Sequence, residues 1–201
     1  MLTFLPGETI GDRVSWPAWA FADSTLVQVG QWLRRVHDVT AEFIPPADER
    51  WFAGAGQAMA PGLIVGHQDV APYNAAVLDG DRLVGFFDWD TASPSPRDVD
   101  LAFSALLWVP LDAPSAGEQL GFHDLEDRSR RLRLLLDAYG YDSDRHAFGP
   151  VIVQRARRQA SVIRSMADAG DRASIALLPI AGHLERSASH VETLPDDFWA
   201  H

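Results

Sequence analysis

Apolar residues recur at helical spacing from residue 24 to 36, where Leu26, Val27, Val29, Gly30, Leu33 and Val36 form one stripe. Ser24 or Asp23 stands where an N-cap is needed. The 23 residues before this helix are rich in turn formers: Pro6-Gly7, Gly11-Asp12 and Pro17. Pro45-Pro46 ends any helix, and a second, glycine-weakened helix is expected over 47–60. The pattern then changes. Leu63-Ile64-Val65 reads as a short buried strand, and 67–74 is polar and irregular. Apolar runs at 75–78 and 83–87 flank Asp79-Gly80-Asp81, a strong hairpin signal. Two prolines and two serines make 91–97 a loop, and 101–108 reads as a buried helix. The remainder is helical. One helix covers 125–139 and stops at Gly140, a second covers 145–169 and stops at Gly170, and Asp171 caps a third running to about Val191.

The predicted class is α+β, mostly α-helical, with a small β-hairpin in the first half. No linker or repeat divides the 201 residues, so residues 1–201 are expected to form one domain, with a turn-rich lead at 1–23, a polar centre at 63–103 and a helical part at 117–201. The 47 % of hydrophobic residues and 10 % of aromatics suffice for a core and argue against disorder.

Composition then removes whole classes of chemistry. The chain has no Cys, which excludes disulfide frameworks, thiolate metal sites and thiol catalysis. All 17 basic residues are Arg, so a Walker-type phosphate loop and a Schiff-base lysine are excluded too. A net charge of −11 argues against nucleic-acid partners; it favours solubility and suits a cationic substrate. The start of the chain lacks the positive region of a signal peptide, and residues 51–68 are too broken by Gly and Pro to span a membrane. A cytoplasmic location is expected, with no membrane partner.

The informative stretch is Gly66-His67-Gln68-Asp69-Val70-Ala71-Pro72-Tyr73-Asn74, followed by the hairpin and Phe87-Asp88-Trp89-Asp90. It fits the kinase catalytic-loop pattern H-x-D-x-x-x-x-N, with a further Asp where the returning strand ends. Phosphoryl transfer needs an acceptor hydroxyl held in line and Mg²⁺ to neutralise phosphate oxygens. Asp69 suits the first need, as orienter and proton acceptor. The carbonyl of Asn74 and the carboxylate of Asp88 are the hard oxygen donors that Mg²⁺ prefers. The competing reading is a turn-rich connection whose Asp and Asn satisfy only backbone groups.

In these residues the chain resembles the C-terminal lobe of the aminoglycoside phosphotransferase and choline kinase-like family. Its recurrent motifs read here as His67-Gln68-Asp69, Asn74, Phe87-Asp88-Trp89 and Asp100-Leu101-Ala102. Leu33-Arg34-Arg35-Val36-His37 is similar to the Leu-His that ends a C-lobe helix, and Leu5-Pro6-Gly7-Glu8 to the segment after the hinge between lobes. The resemblance implies a protein-kinase-like C-lobe, Asp69 as catalytic base, and Asn74 and Asp88 as ligands of Mg²⁺ in an ATP-dependent reaction. It also implies His67 and Asp100 as structural supports of the loop, Asp100 buried and bracing it. Gln68 replaces the usual Gly, and its side chain is expected to point outward. Family members begin with a β-rich N-lobe carrying a nucleotide loop and an ion-pairing Lys. Here Gly54-Ala55-Gly56 lacks the third Gly and no Lys exists, so the nucleotide-binding residues stay unassigned and half of the ATP site is expected to come from elsewhere, from a separate N-lobe or a homodimer mate.

Other side chains are weaker candidates. Acidic residues on C-lobe helices of that family receive cationic substrates, which makes Glu118, Asp124, Glu126 and Asp127 the substrate candidates; His123 and its acidic neighbours otherwise follow the helix dipole. Asp90 reads as an exposed loop carboxylate. His183 and His190 read as surface histidines, and Arg155, Arg157 and Arg158 as a solvated helix face. No G-x-S-x-G and no H-E-x-x-H occurs. The leading expectation is an O-phosphotransferase acting on a small hydroxylated molecule, incomplete as it stands. The alternatives are a non-catalytic, pseudokinase-like binding module derived from a kinase and a metal-dependent phosphoesterase. Choline, homoserine, sugars and other small alcohols all remain open as acceptor.

Overall fold

The computed structural model describes residues 4–11, 16–46, 50–51, 58–111 and 125–199, without the side chains of 125 and 126. In chain order its elements are α1 (Asp23–Thr40), β1 (Ile64–Gly66), β2 (Ala75–Leu78), β3 (Arg82–Phe86), β4 (Ser93–Ser95), α2 (Arg97–Trp108), α3 (Leu125–Tyr139), α4 (Phe148–Asp168), α5 (Arg172–Ala176), α6 (Leu178–Val191) and α7 (Asp196–Trp199). Single 3-10 turns lie at Ala18–Ala20, Pro72–Asn74 and Trp89–Thr91. The fold is α+β and mostly helical, as expected for a kinase-like C-lobe. Among the described residues, no helix is long and apolar enough to cross a membrane.

The helices follow their apolar stripes. In α1, Leu26, Val29 and Leu33 are fully buried; burying each leucine contributes about 1.5–3 kcal/mol. Gly30 lets α3 approach α1 closely: a Cβ there would lie 2.8 Å from the Leu135 carbonyl oxygen. The expected N-cap is not used. Ala22 occupies that position, Ser24 Oγ donates to Asp81 at 2.7 Å, and Asp23 pairs with Arg130 and Arg131 on α3. Tertiary partners outbid the local cap. Helix α2 is buried nearly all round through Leu101, Ala102, Ala105, Leu106 and Trp108, and packs on α4, which also meets α5 and α6.

The hairpin forms as predicted. Ala75 pairs with Phe86 and Leu78 with Arg82, and Asp79 and Gly80 both take positive φ. Glu8 bridges to Val77 through two backbone hydrogen bonds, so the lead segment docks on β2. Three expectations are corrected. Residues 50–51 and 58–60 are not helical, and the rest of the 47–60 helix lies outside the described residues. The 91–97 loop contains β4, antiparallel to β1, with Val65 opposite Pro94; a proline is tolerated because, among the described residues, β4 has one partner strand. The third C-terminal helix is interrupted at Leu177: Asp171 caps only α5, through Ser174 N at 2.7 Å, and Pro179 sits in the first turn of α6.

Candidate active site

The site is built around one buried carboxylate. Asp100, on the first turn of α2 and 1 % exposed, accepts three hydrogen bonds. The Gln68 amide donates to Oδ1 at 2.7 Å. The His67 amide (3.1 Å) and His37 Nε2 (3.0 Å) donate to Oδ2. Burial pushes its proton affinity up, but the His37 bond and the amide donors prevail and hold the carboxyl below the ordinary range. His37 Nδ1 in turn shares a 2.8 Å hydrogen bond with Tyr139 Oη, so α1, α2 and α3 meet on this group. Asp100 is buried and bonded to the loop. It accepts from consecutive backbone amides, which fixes the direction of the chain just before Asp69.

Two residues here carry backbone strain. Gln68 has φ +68° and Asp88 φ +64°, a region that favours glycine. At 68 a glycine would carry no such strain. The Gln68 side chain does not point outward: it is buried, and Nε2 donates to Ser95 Oγ on β4 at 2.6 Å. Gly66 makes room for that packing, because a Cβ at 66 would come within 2.5 Å of Gln68 Nε2, 2.8 Å of Ser95 Oγ and 2.9 Å of Asp100 Cγ.

Asp69 is half-buried, and both of its oxygens are engaged. Tyr73 Oη donates to Oδ1 at 2.7 Å and Asn74 Nδ2 to Oδ2 at 2.9 Å. Asn74 Nδ2 also donates to the Asp69 carbonyl oxygen at 3.0 Å. Every partner of this amide is an acceptor, so its nitrogen must face Asp69 and its carbonyl oxygen must face away. Burial raises the Asp69 carboxyl above its ordinary range against the lowering effect of Tyr73 and Asn74. Burial and the Asp69 charge raise the Tyr73 phenol, which stays protonated and serves as donor.

The hairpin then returns the chain. The Phe87 amide donates to the Asn74 carbonyl oxygen at 3.0 Å, which puts Asp88 one residue beyond the position facing Asn74. The Asp88 carboxylate is exposed and makes no capping bond to the turn it opens, while its charge acts on the Tyr73 hydroxyl. Asp69, Asn74 and Asp88 are therefore gathered at one end of the hairpin. Asp90 is exposed, as expected.

His67 is fully buried beneath the loop. Nε2 donates to the Phe87 carbonyl at 3.1 Å and Nδ1 accepts the Asp69 amide at 3.3 Å. Burial lowers its proton affinity, in keeping with a neutral ring. Trp89 lies 4.5 Å from it, centroid to centroid, so the ring ties the loop to the end of β3.

The sequence reading missed Arg155. Arg157 and Arg158 are exposed on α4, but Arg155 is 6 % exposed. Nη2 donates to the Gln68 carbonyl at 2.8 Å, Nη1 to Gln159 Oε1 at 3.0 Å, and the guanidinium lies 4.4 Å from the centre of the Phe103 ring. Burial lowers its pKa to about 10, so it remains charged at neutral pH. Its spacing held the signal: Ile152, Arg155 and Ala156 share one buried face.

Of the four substrate candidates, Asp127 is the one whose side chain is described. Asp127 pairs with Arg130 at 2.8 Å. Glu118, Asp124 and His123 lie outside the described residues, as does the Glu126 side chain. His183 and His190 are half-buried rather than on the surface, and both have partners. Among the described residues, no group of three His, Asp or Glu side chains stands ready for a metal. A metal at Asn74 and Asp88 therefore needs oxygens from elsewhere, as Mg²⁺ on phosphates does.

Residues 50–135 match the sequence profile of the phosphotransferase enzyme family. The chain is also 35 % identical over 140 residues to the trifolitoxin immunity protein of Rhizobium leguminosarum bv. trifolii. That alignment covers 69 % of this chain and 51 % of the relative, so the chain spans about half the length of the curated relative it matches.

Proposed function

Through residues 50–135 the chain belongs to the phosphotransferase enzyme family, and from that premise we propose that it transfers a phosphoryl group from ATP to a hydroxyl of a small molecule. The observation that carries the reading is the orientation of Asn74: its amide nitrogen is spent on Asp69, which leaves its carbonyl oxygen as the free pole beside the strand end that bears Asp88. The two oxygens fit Mg²⁺ by donor chemistry, one neutral carbonyl and one exposed carboxylate. Bound there with the nucleotide, the ion would neutralise charge on the phosphate oxygens.

The chain's own residues do the rest. Asp69 offers the lone pairs that Tyr73 and Asn74 leave free, and an acceptor hydroxyl bound to them is oriented and gives up its proton to the carboxylate. Burial raises the proton affinity of Asp69, and the hydrogen bonds from Tyr73 and Asn74 act against that rise. His67 and Asp100 hold the loop rigid so that the carboxylate does not reorganise during transfer. The acidic balance of the chain suits a cationic acceptor. The relative's name makes toxic compounds bearing hydroxyls a further class to screen.

The test is calorimetry with Mg²⁺ and ATP on the chain and on Asp88→Asn, a change that keeps a residue tolerant of positive φ and removes the charge. Binding that requires Mg²⁺ and is lost in the variant is the expected result. A second reading, a non-catalytic binding module, is favoured by the absence of lysine, which leaves no ammonium for the nucleotide phosphates. No binding by folded protein at millimolar ATP would decide for it.

A further inference from the structure

We propose that Arg155 is the positioning residue of the candidate base: it holds the Gln68 carbonyl while Asp100 holds the Gln68 amide, and the pair sets where Asp69 stands. The catalytic meaning of this clamp rests on the phosphotransferase reading above; the clamp itself does not.

Gln68 is a non-glycine residue at φ +68°, immediately before Asp69. A side chain at such a φ is strained, and strain of this kind persists only where surroundings over-determine it. Here they do so from both ends of one residue. Asp100 Oδ1 lies 2.7 Å from the amide nitrogen and Arg155 Nη2 2.8 Å from the carbonyl oxygen. The two charges come from different helices, α2 and α4, and each is almost completely buried. Opposite charges at the two ends match the polarity of the residue between them, negative at its N–H and positive at its C=O. Reversing the strained conformation would turn both groups away from their partners.

Arg155 is itself immobilised. Its guanidinium is bonded to Gln159 and packed on Phe103, which lies on the same helix as Asp100. Its hydrogen bonds end on a backbone carbonyl and a neutral side chain, whereas Arg157 makes a bidentate pair with the Glu192 carboxylate. A buried cation without a contacting carboxylate is costly. At this position an apolar side chain would fill the helix interface at less cost. The retained charge is explained by what it points at, the loop that ends in Asp69.

Amide hydrogen exchange by NMR tests the clamp on the full chain, in wild type, Arg155→Lys and Arg155→Met. The expected result is faster exchange of the Gln68 and Asp69 amides, about tenfold in Arg155→Met and less in Arg155→Lys, with amides of α1 and α6 unchanged. Lysine keeps the charge but lacks the planar fork, so it restores part of the protection. An equal rise throughout the molecule would show a merely structural role and overturn the proposal. So would unchanged exchange at 68 and 69. Where Arg155→Met fails to fold, a local rise in Arg155→Lys decides alone. Magnesium-dependent ATP binding by wild type, measured beside it, separates the two readings. Its absence removes the phosphotransferase function, and unchanged local exchange removes the clamp.

Discussion

The segment from β1 to α2 and the helical part from α3 to α7 differ in where most of their polar groups lie. In the first, Asp100, His67, Gln68, Asn74 and Ser95 are buried, and each is bonded to another polar group of the same segment. In the second, Arg157–Glu192, Arg130–Asp127 and Arg164–Glu185 are ion pairs with both partners about half exposed. Taking a polar group out of water costs several kcal/mol unless its bonds are replaced in full. The molecule meets that cost around Asp69, where backbone direction must be fixed, and at a few helix positions such as Arg131, which donates to the Phe21 and Trp108 carbonyls. On the helices the charges keep the surface wet and leave the apolar stripes to hold the elements together. Arg155 is buried as well, and it belongs to the helical part by sequence and to the loop by its bonds.

The contrast can be broken most severely at Asp100. Replacing it with Ala orphans three buried donors, from His37, His67 and Gln68. Each orphan costs about 1–3 kcal/mol, so a stability loss of about 3 kcal/mol or more is expected in urea denaturation. The same group gives a pH dependence with a definite sign. Its folded carboxyl titrates below the ordinary value of 3.8, so its contribution is complete above that value and is lost as pH falls through the folded pKa. Urea midpoints followed from pH 6 to pH 2 should fall less steeply in Asp100→Asn than in wild type.

Gly66→Ala tests packing in the same region. The added methyl meets Gln68, Ser95 and Asp100, all held by hydrogen bonds, and a loss of about 1–3 kcal/mol is expected. Asp88→Asn sharpens the contrast from the other side. The residue is exposed and its neutral form keeps the backbone tolerance, so the urea midpoint should shift by less than about 0.5 kcal/mol while magnesium-dependent ATP binding is lost. Arg157→Ala is the smallest effect. It removes one exposed ion pair, and thermal denaturation should register about 0–1 kcal/mol.

Much of this arrangement was legible in the residues. The hairpin followed from Asp79-Gly80, because both positions take the positive φ that this pair tolerates. The spacing of Asp69, Asn74 and Asp88 carried the site, because a short loop and a tight hairpin leave few ways to separate them. Helices α1, α3 and α4 followed from apolar periodicity. The break at Leu177 was missed, although Pro179 is a residue at home in a helix's first turn. Strand β4 was not legible: three residues centred on a proline form a strand only because β1 is there to pair with them.

The sequence by itself determined most of the helices, the hairpin and the family resemblance on which the candidate roles of Asp69, Asn74 and Asp88 rest, since each depends on spacing within a few tens of residues. Only the tertiary structure decided that Gln68 turns inward, that Asp23 pairs with α3 instead of capping α1, and that Arg155 lies under the loop that carries Asp69. Those outcomes depend on which distant polar group reaches a buried one first, and local pattern carries no record of that competition.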